Sequence, residues 1–165
     1  MARVELLTAE RAPLLARPYF ESGDPGPIAA AMASVPELME PVLAYVGAVL
    51  GRTAIDARLK EIVILRVSAA NGCRYCTETH TRAAARLGFD PVELAALRGE
   101  GPAPGVWTPK QHALLRFSVA LSEQPAEAVQ HLRPLFDDWE IVELVTLGSA
   151  TVMLNRFATA LDLPW

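Results

Sequence analysis

The chain has 165 residues, of which 52% are hydrophobic and 21% are charged, and its formal net charge is −4 at pH 7. This length suits one domain with its own core. The net negative charge does not indicate binding to nucleic acid or to an anionic membrane surface. No secretory signal is expected, because the first 20 residues have no apolar stretch of the length that such a signal needs, and the uncharged run at residues 144–155 is too short to cross a bilayer. The sequence therefore predicts a single cytoplasmic domain over residues 1–165 that binds neither nucleic acid nor membrane.

Residues 1–33 are predicted to form an irregular N-terminal arm, with at most a short helix near its start, because GDPGP at residues 23–27 is typical of a loop. The first long helix should begin just after this arm. Ser34 and Glu37 have the spacing of a capping box, and Pro36 suits the first helical turn.

Pro41 predicts a kink or a split in this first helix. The next helix is predicted to be capped by Asp56 and to end at Asn71. Within it, Arg66 is expected to pair with a carboxylate. The helix is otherwise apolar on almost every side, so we expect it to be central and buried through Ile62, Val63, Ile64, Leu65 and Val67.

The rest of the chain is also predicted to be helical. One helix carries the only two cysteines and ends at Gly88, and a loop is predicted at residues 99–107. With no convincing strand, the prediction is an all-α, single-domain bundle of six or seven helices. The later helices begin near Asp90, Thr108 (in a capping box with Gln111), Pro125, and Asp137 or Asp138, the last of them stopped by Pro164.

The two cysteines and one histidine share a face of their predicted helix. If Cys73 starts the helix, Cys76 and His80 fall within about a 60° arc of it, on the inward apolar stripe. Tyr75 falls on the outer side. Free N–H groups and the helix dipole stabilise a thiolate in a first turn, and a Cys-x-x-Cys pair can close a disulfide. His80 lies one turn after Cys76, within reach of its proton.

Each of these residues also has an ordinary explanation. A buried cysteine is often inert, and a histidine on an apolar stripe is often a satisfied core residue. Glu61, on the preceding helix, could be a surface carboxylate paired with Arg58 or Lys60, or a carboxylate turned into the core for proton transfer. Three chemically active side chains on one helix face nevertheless favour a functional site.

Residues 61–80 contain the pattern Glu-x11-Cys-x2-Cys-x3-His, which resembles the alkylhydroperoxidase-D-like branch of the carboxymuconolactone decarboxylase family. The likeness continues through residues 113–121 and 138–164, so that residues 34–165 form the family core. The resemblance implies an all-α fold that assembles as a homo-oligomer, often a trimer or a hexamer.

The resemblance also implies a thiol peroxidase that reduces hydrogen peroxide or organic hydroperoxides without a metal or cofactor. Cys76 would attack the peroxide and become a sulfenic acid, and Cys73 would then close the disulfide. Glu61 and His80 would form a proton relay, and an external dithiol or thiol protein would reduce the disulfide. Tyr75 occupies a position that is a second histidine in the best-known peroxidases of the group, which puts the turnover rate in question.

Three alternatives stay open at this stage. The disulfide could switch a redox sensor or an oligomeric partner protein with little turnover. The same cysteines, His80 and Glu61 could bind zinc, although His112 and His131 are distant in sequence and are expected on the surface or at helix caps. A lactone decarboxylase is the fourth candidate, but that chemistry does not use a Cys-x-x-Cys pair.

Asn155 and Arg156 interrupt the apolar last helix and could line a pocket or bridge subunits.

Overall fold

A computed structural model describes residues 1–101, 105 and 107–165, and the regular structure within these ranges is helical. The all-α, single-domain prediction is confirmed, and part of the predicted loop at 99–107 lies outside the described residues. There are eight α-helices in these ranges, one more than predicted because α1 forms inside the arm. They are α1 Pro27–Met32, α2 Pro36–Leu50, α3 Ala57–Ala70, α4 Arg74–Arg86, α5 Pro91–Arg98, α6 Pro109–Glu123, α7 Pro125–Ala128 and α8 Asp138–Ala160.

Helix α3 is the central element, as its apolar composition predicts. Residues 62–65 and Val67 are all buried, and α3 packs against α4, α5, α6 and α8. One charged residue, Lys60, is also buried on this helix. Its Nζ donates to the carbonyls of Val49 and Gly51 and pairs with Glu143, so it joins the end of α2 and the start of α8 to α3.

Most predicted helix starts are confirmed. Asp56 accepts from a backbone N–H at the start of α3, and Thr108 forms a capping box with Gln111. The predicted Ser34–Glu37 box is wrong, because the N-cap of α2 is Val35 and no side chain caps this helix. The N–H groups of Ser34 and Val35 donate instead to carbonyls of α1, so the chain runs from α1 directly into α2. Pro41 lies within a continuous helix.

The N-terminal arm is a packed part of the protein. One stretch, including a single-turn 3-10 helix at Arg17–Phe20, packs through Ala16 and Phe20 on Met39 of α2. Another stretch, with Leu6 and α1, packs on Cys73 and Cys76 in a separate apolar cluster. The arm therefore forms one wall around the two thiols.

Helix α8 runs through the core for 23 residues and ends at Ala160, a few residues before Pro164. An 18-residue window of this helix has a mean hydropathy of 1.3, so by length and composition alone the helix could cross a membrane. Within the protein, 44% of that window is buried. The helix comes closest to α6 at Gly148, where an added Cβ would lie 2.3 Å from Leu121 Cδ2 and 3.6 Å from the Phe117 ring. A core helix passes the same composition test as a membrane span.

Candidate active site

The tight turn between α3 and α4 positions the first cysteine. Gly72 has a φ of +65°, which favours glycine, and the N–H of Cys73 donates to the Ser68 carbonyl at 3.0 Å. Cys73 is the N-cap of α4, and its Sγ accepts from the backbone N–H of Cys76 at 3.4 Å. The sulfur of Cys73 thus lies at the positive end of the helix dipole, where a thiolate is stabilised.

The two thiols are reduced, buried and unequal in acidity. Cys73 is 1% exposed and Cys76 is 5% exposed. A hydrogen bond from the Cys76 thiol lowers the pKa of Cys73 to about 6, against the opposing effect of burial. The same contact with Cys73, together with burial, raises the pKa of Cys76. The contact between the two sulfurs therefore favours the thiolate on Cys73 and the proton on Cys76.

His80 and Glu61 form a pair one turn along from Cys76. The Nδ1 atom of His80 lies 3.0 Å from Oε2 and 3.2 Å from Oε1 of Glu61. Glu61 pairs with neither Arg58 nor Lys60, which bind other carboxylates. An imidazole whose Nδ1 is held by a carboxylate presents Nε2 as the atom that gives or takes a proton.

Asn155 is a further polar residue at the α3–α4 junction. This buried side chain of α8 donates from Nδ2 to Ser68 Oγ at 3.0 Å, and its Oδ1 accepts from Asn71 Nδ2 at 3.2 Å. These two bonds fix the orientation of the Asn155 amide. Hydrogen bonding by its side chain lowers the pKa of both Cys73 and Cys76. In the sequence, Asn155 stood out only because it interrupts an apolar helix. Arg156, the next residue, is exposed.

Tyr75 does not face solvent, contrary to the helical-wheel prediction. It is half-buried against the apolar cluster that contains both cysteines, and an added Cβ on Gly26 would lie 3.9 Å from its hydroxyl. The N-terminal arm covers this side of α4, which periodicity within α4 alone cannot indicate. Burial is the main cause that raises the pKa of Tyr75, so its phenol stays protonated.

Two cavities reach this group of residues. One of about 80 Å³ is lined by Cys73, Tyr75, Thr159 and Trp165, with the guanidinium of Arg74 over the indole of Trp165. The other, of about 540 Å³, is lined by Glu61 and His80. Cys73 is therefore accessible from one cavity, and the carboxylate–imidazole pair is accessible from the other.

The predicted zinc ligands do not form a metal cluster. Over residues 1–101, 105 and 107–165, no group of three or more His, Cys, Asp and Glu side chains could hold a metal ion. His112 and His131 are half-buried, and both line a cavity separate from the one beside Cys73. The structure brings together Glu61 with His80 and Cys73 with Cys76.

The sequence profile of the carboxymuconolactone decarboxylase family matches residues 36–121. A crystal structure from Agrobacterium tumefaciens, of a protein of unknown function provisionally linked to antioxidant defence as an AhpD, is 26% identical with a TM-score of 0.70. The match covers 81% of this chain and 95% of that one.

Two further solved structures share the fold over almost the whole chain, arm included. An uncharacterized peroxidase-related protein from Ralstonia eutropha JMP134, with an alkylhydroperoxidase AhpD core, is 17% identical with a TM-score of 0.83, covering 99% of this chain and 91% of that one. The debrominase Bmp8 is 20% identical with a TM-score of 0.78, covering 96% and 89%. At these identities the likeness shows the fold alone, and this fold serves enzymes of different activity.

Proposed function

This chain belongs to the carboxymuconolactone decarboxylase family, and within that family we propose that it is a thiol-dependent peroxidase. The proposed substrate is hydrogen peroxide or an organic hydroperoxide, and the proposed reductant is a dithiol or thiol protein of the cytoplasm. The observation that carries this proposal is the pairing of an acidic buried thiol, Cys73, with a second thiol followed one turn later by the His80–Glu61 pair.

In the first proposed step, Cys76 is the nucleophile, in the order that the family resemblance implies. The proton on Cys76 shifts to Cys73 along the hydrogen bond between the two sulfurs, which leaves the thiolate on Cys76. This thiolate attacks the terminal oxygen of the peroxide, so an S–O bond forms and the O–O bond breaks. The leaving alkoxide takes a proton from His80 and departs as the alcohol.

In the second step, Cys73 loses its proton to His80 and attacks the sulfur of the Cys76 sulfenic acid. An S–S bond forms, and hydroxide leaves as water with the proton from His80. The two thiols are oxidised by two electrons and the peroxide is reduced by two. An external dithiol then reduces the disulfide by exchange, and Glu61 keeps the imidazole oriented throughout.

The cavity beside Cys73 favours small peroxides. Its volume of about 80 Å³ exceeds the share of about 30 Å³ that one water molecule occupies in the liquid. Hydrogen peroxide or the head of an alkyl hydroperoxide fits such a space, whereas a bulky hydroperoxide needs the arm or Trp165 to move. We therefore expect hydrogen peroxide to react faster than cumene hydroperoxide.

Consumption of hydrogen peroxide in the presence of dithiothreitol tests the proposal directly. Wild type should turn over, and Cys76→Ser should lose turnover because it lacks the proposed nucleophile. Cys73→Ser cannot close the disulfide, so it should turn over only as fast as dithiothreitol reduces the Cys76 sulfenic acid directly. His80→Gln and Glu61→Gln should lower the rate by about 10²-fold or more, the usual contribution of proton transfer. Turnover at the wild-type rate in Cys76→Ser would reject the proposed thiol mechanism.

Trapping with dimedone separates the roles of the two sulfurs. In Cys73→Ser, peroxide should leave a sulfenic acid on Cys76, detected as an adduct on that peptide. In Cys76→Ser, the expected adduct is weaker. The reverse labelling would assign the attack to Cys73, whose lower pKa already favours the thiolate form.

One observation also favours a redox sensor as a second candidate. Leu6, Ile28 and Ala31 of the arm belong to the same apolar cluster as the two cysteines, so we expect closure of the disulfide to change the packing of the arm. A sensor would be oxidised once by peroxide, show faster hydrogen exchange in residues 1–33, and give little turnover with several dithiol donors. Sustained turnover with unchanged exchange in the arm would favour the enzyme.

A further inference from the structure

A large cavity away from the cysteines is lined mainly by basic and apolar side chains. Its volume is about 570 Å³, within the range of about 300–1,000 Å³ that is usual for small-molecule sites. It lies between α3, α5, α6 and the 3-10 helix Val129–His131. None of the thiol or relay residues lines it, so the mechanism proposed above does not explain it.

Arg66 of α3 contributes a guanidinium that lacks the expected carboxylate partner. No ion pair or hydrogen bond joins its side chain to a residue in the described ranges. Its Nη1 reaches the end of α5 so closely that an added Cβ on Gly99 would lie 2.8 Å away. Two carbonyls there are already bonded, Ala96 to the N–H of Gly99 and Ala95 to the N–H of Glu100. Arg66 therefore does not cap these two carbonyls.

Three more potential donors line the same cavity: Arg116 and His112 of α6, and His131 of the 3-10 helix. None of these side chains forms a hydrogen bond or ion pair within the described part of the chain. The one carboxylate in the lining, Glu123, makes no ion pair with Arg66 or Arg116. A cavity with two guanidinium groups and one carboxylate is locally positive, although the whole chain carries a net charge of −4.

We propose that this cavity binds a small organic anion, with a carboxylate or phosphate group between Arg66 and Arg116 and a short apolar body on Leu115 and Val119. Guanidinium groups bind carboxylate and phosphate through paired, charge-assisted hydrogen bonds. The side chains of Leu115 and Val119, with Ala96 and Ala120, provide the apolar surface that an alkyl chain requires. The proposal is independent of the thiol chemistry.

Isothermal titration with three probes tests the proposal and identifies the charged group. Octanoate supplies a carboxylate on an apolar chain, inorganic phosphate supplies the anion alone, and 1-octanol supplies the apolar chain alone. We expect saturable binding of octanoate, or of phosphate if the site prefers that group, weakened by added salt, and no binding of octanol. Octanol binding as tight as octanoate, or no saturable binding of either anion, would overturn the proposal.

Variants locate the binding on the molecule. Arg66→Gln and Arg116→Gln should each weaken anion binding about tenfold or more, the effect of losing a hydrogen bond to a charged group. Arg86→Gln is the matched control, because Arg86 is exposed on α4 outside the cavity, and it should bind like wild type. Cys76→Ser should also bind like wild type.

Arg116 is exposed, so its substitution leaves folding intact and keeps the test decisive even if Arg66→Gln misfolds. Anion binding that neither arginine substitution weakens would place the ligand elsewhere and overturn the assignment. An equal loss in the Arg86→Gln control would show a general charge effect and would also overturn it.

Discussion

At the residue scale, the donors that reach each sulfur determine which cysteine is ionised. The Sγ of Cys73 accepts from the backbone N–H of Cys76. Hydrogen bonding with the Cys76 thiol contributes most to lowering the pKa of Cys73, and the side chains of Thr159 and Asn155 lower it further. The same contact with Cys73, followed by burial, raises the pKa of Cys76. These effects favour the thiolate on Cys73 and the proton on Cys76.

This difference predicts the pH dependence of alkylation at Cys73. A thiolate is present above the pKa of its thiol, so iodoacetamide should label Cys73 increasingly from pH about 6 upward, well below the ordinary cysteine pKa of about 8.5. In Cys76→Ala the largest stabilising hydrogen bond is lost, and the labelling midpoint should move up toward the ordinary value. Mass spectrometry of the Cys73 peptide across pH measures both midpoints. Coincident midpoints would contradict the assignment.

The buried amide of Asn155 gives a second prediction at this scale. Asn155→Leu removes a side chain that lowers the pKa of both thiols. It also leaves the buried Ser68 hydroxyl without its partner, at a cost of about 1–3 kcal/mol in the free energy of unfolding, whereas Asn71 keeps its bonds to Val67 and Ser122. We also expect the alkylation midpoint of Cys73 to rise, an effect that a purely structural residue would not have. Arg156→Gln, at the next and exposed position, is the control and should change neither quantity.

At the element scale, the approach of α8 to α6 depends on Gly148. An added methyl group there would overlap Leu121 Cδ2, which must move. The overpacking cost of about 1–3 kcal/mol is offset by a gain of about 1 kcal/mol for alanine over glycine in a helix, so Gly148→Ala should destabilise the protein by at most about 2 kcal/mol. Ser149→Ala is the matched control, because Ser149 is exposed one position further on and its substitution should stay within about 0.5 kcal/mol. Urea denaturation of both variants measures these free energies, and equal values would show that the two helices can separate without cost.

Helix boundaries were largely predictable because most caps are local. Asp56 and Thr108 act on N–H groups within three residues, so the sequence signal and the observed cap agree. Ser34 has the same signal but fails, because α1 extends its hydrogen bonding through Ser34 and Val35. Helix α1, which the sequence pattern did not reveal, therefore moved the N-cap of α2 from Ser34 to Val35.

At the scale of the whole molecule, long-range packing decided what the sequence could not indicate. Helical periodicity placed Cys73, Cys76 and His80 on one helix, and the structure pairs Cys73 with Cys76 and His80 with Glu61. Periodicity did not indicate that the arm would bury Tyr75, or that Asn155 would reach the thiols from the far end of the chain. Both contacts join residues that are distant in sequence, which local patterns do not encode. The pairing of Glu61 with His80 was expected from the family resemblance rather than from periodicity.

The outer face of α8 predicts self-association. Trp139, Val142 and Met153 are 52%, 65% and 41% exposed, and at 100° per residue they fall within about a 60° arc. Large exposed apolar side chains on one face of a long helix are typical of a subunit interface. We expect a homo-oligomer, a trimer or hexamer, by size-exclusion chromatography with light scattering. Val142→Glu should shift it to a smaller species, and a wild-type monomer would contradict this prediction.

The central claim is that Cys73 and Cys76 act together as one redox centre. The most direct test counts free thiols in the reduced protein before and after one equivalent of hydrogen peroxide. We predict that both of its thiols disappear together, that an intrachain disulfide links the two peptides, and that dithiothreitol restores both. Two free thiols after peroxide, or the loss of one thiol without a disulfide, would contradict the account.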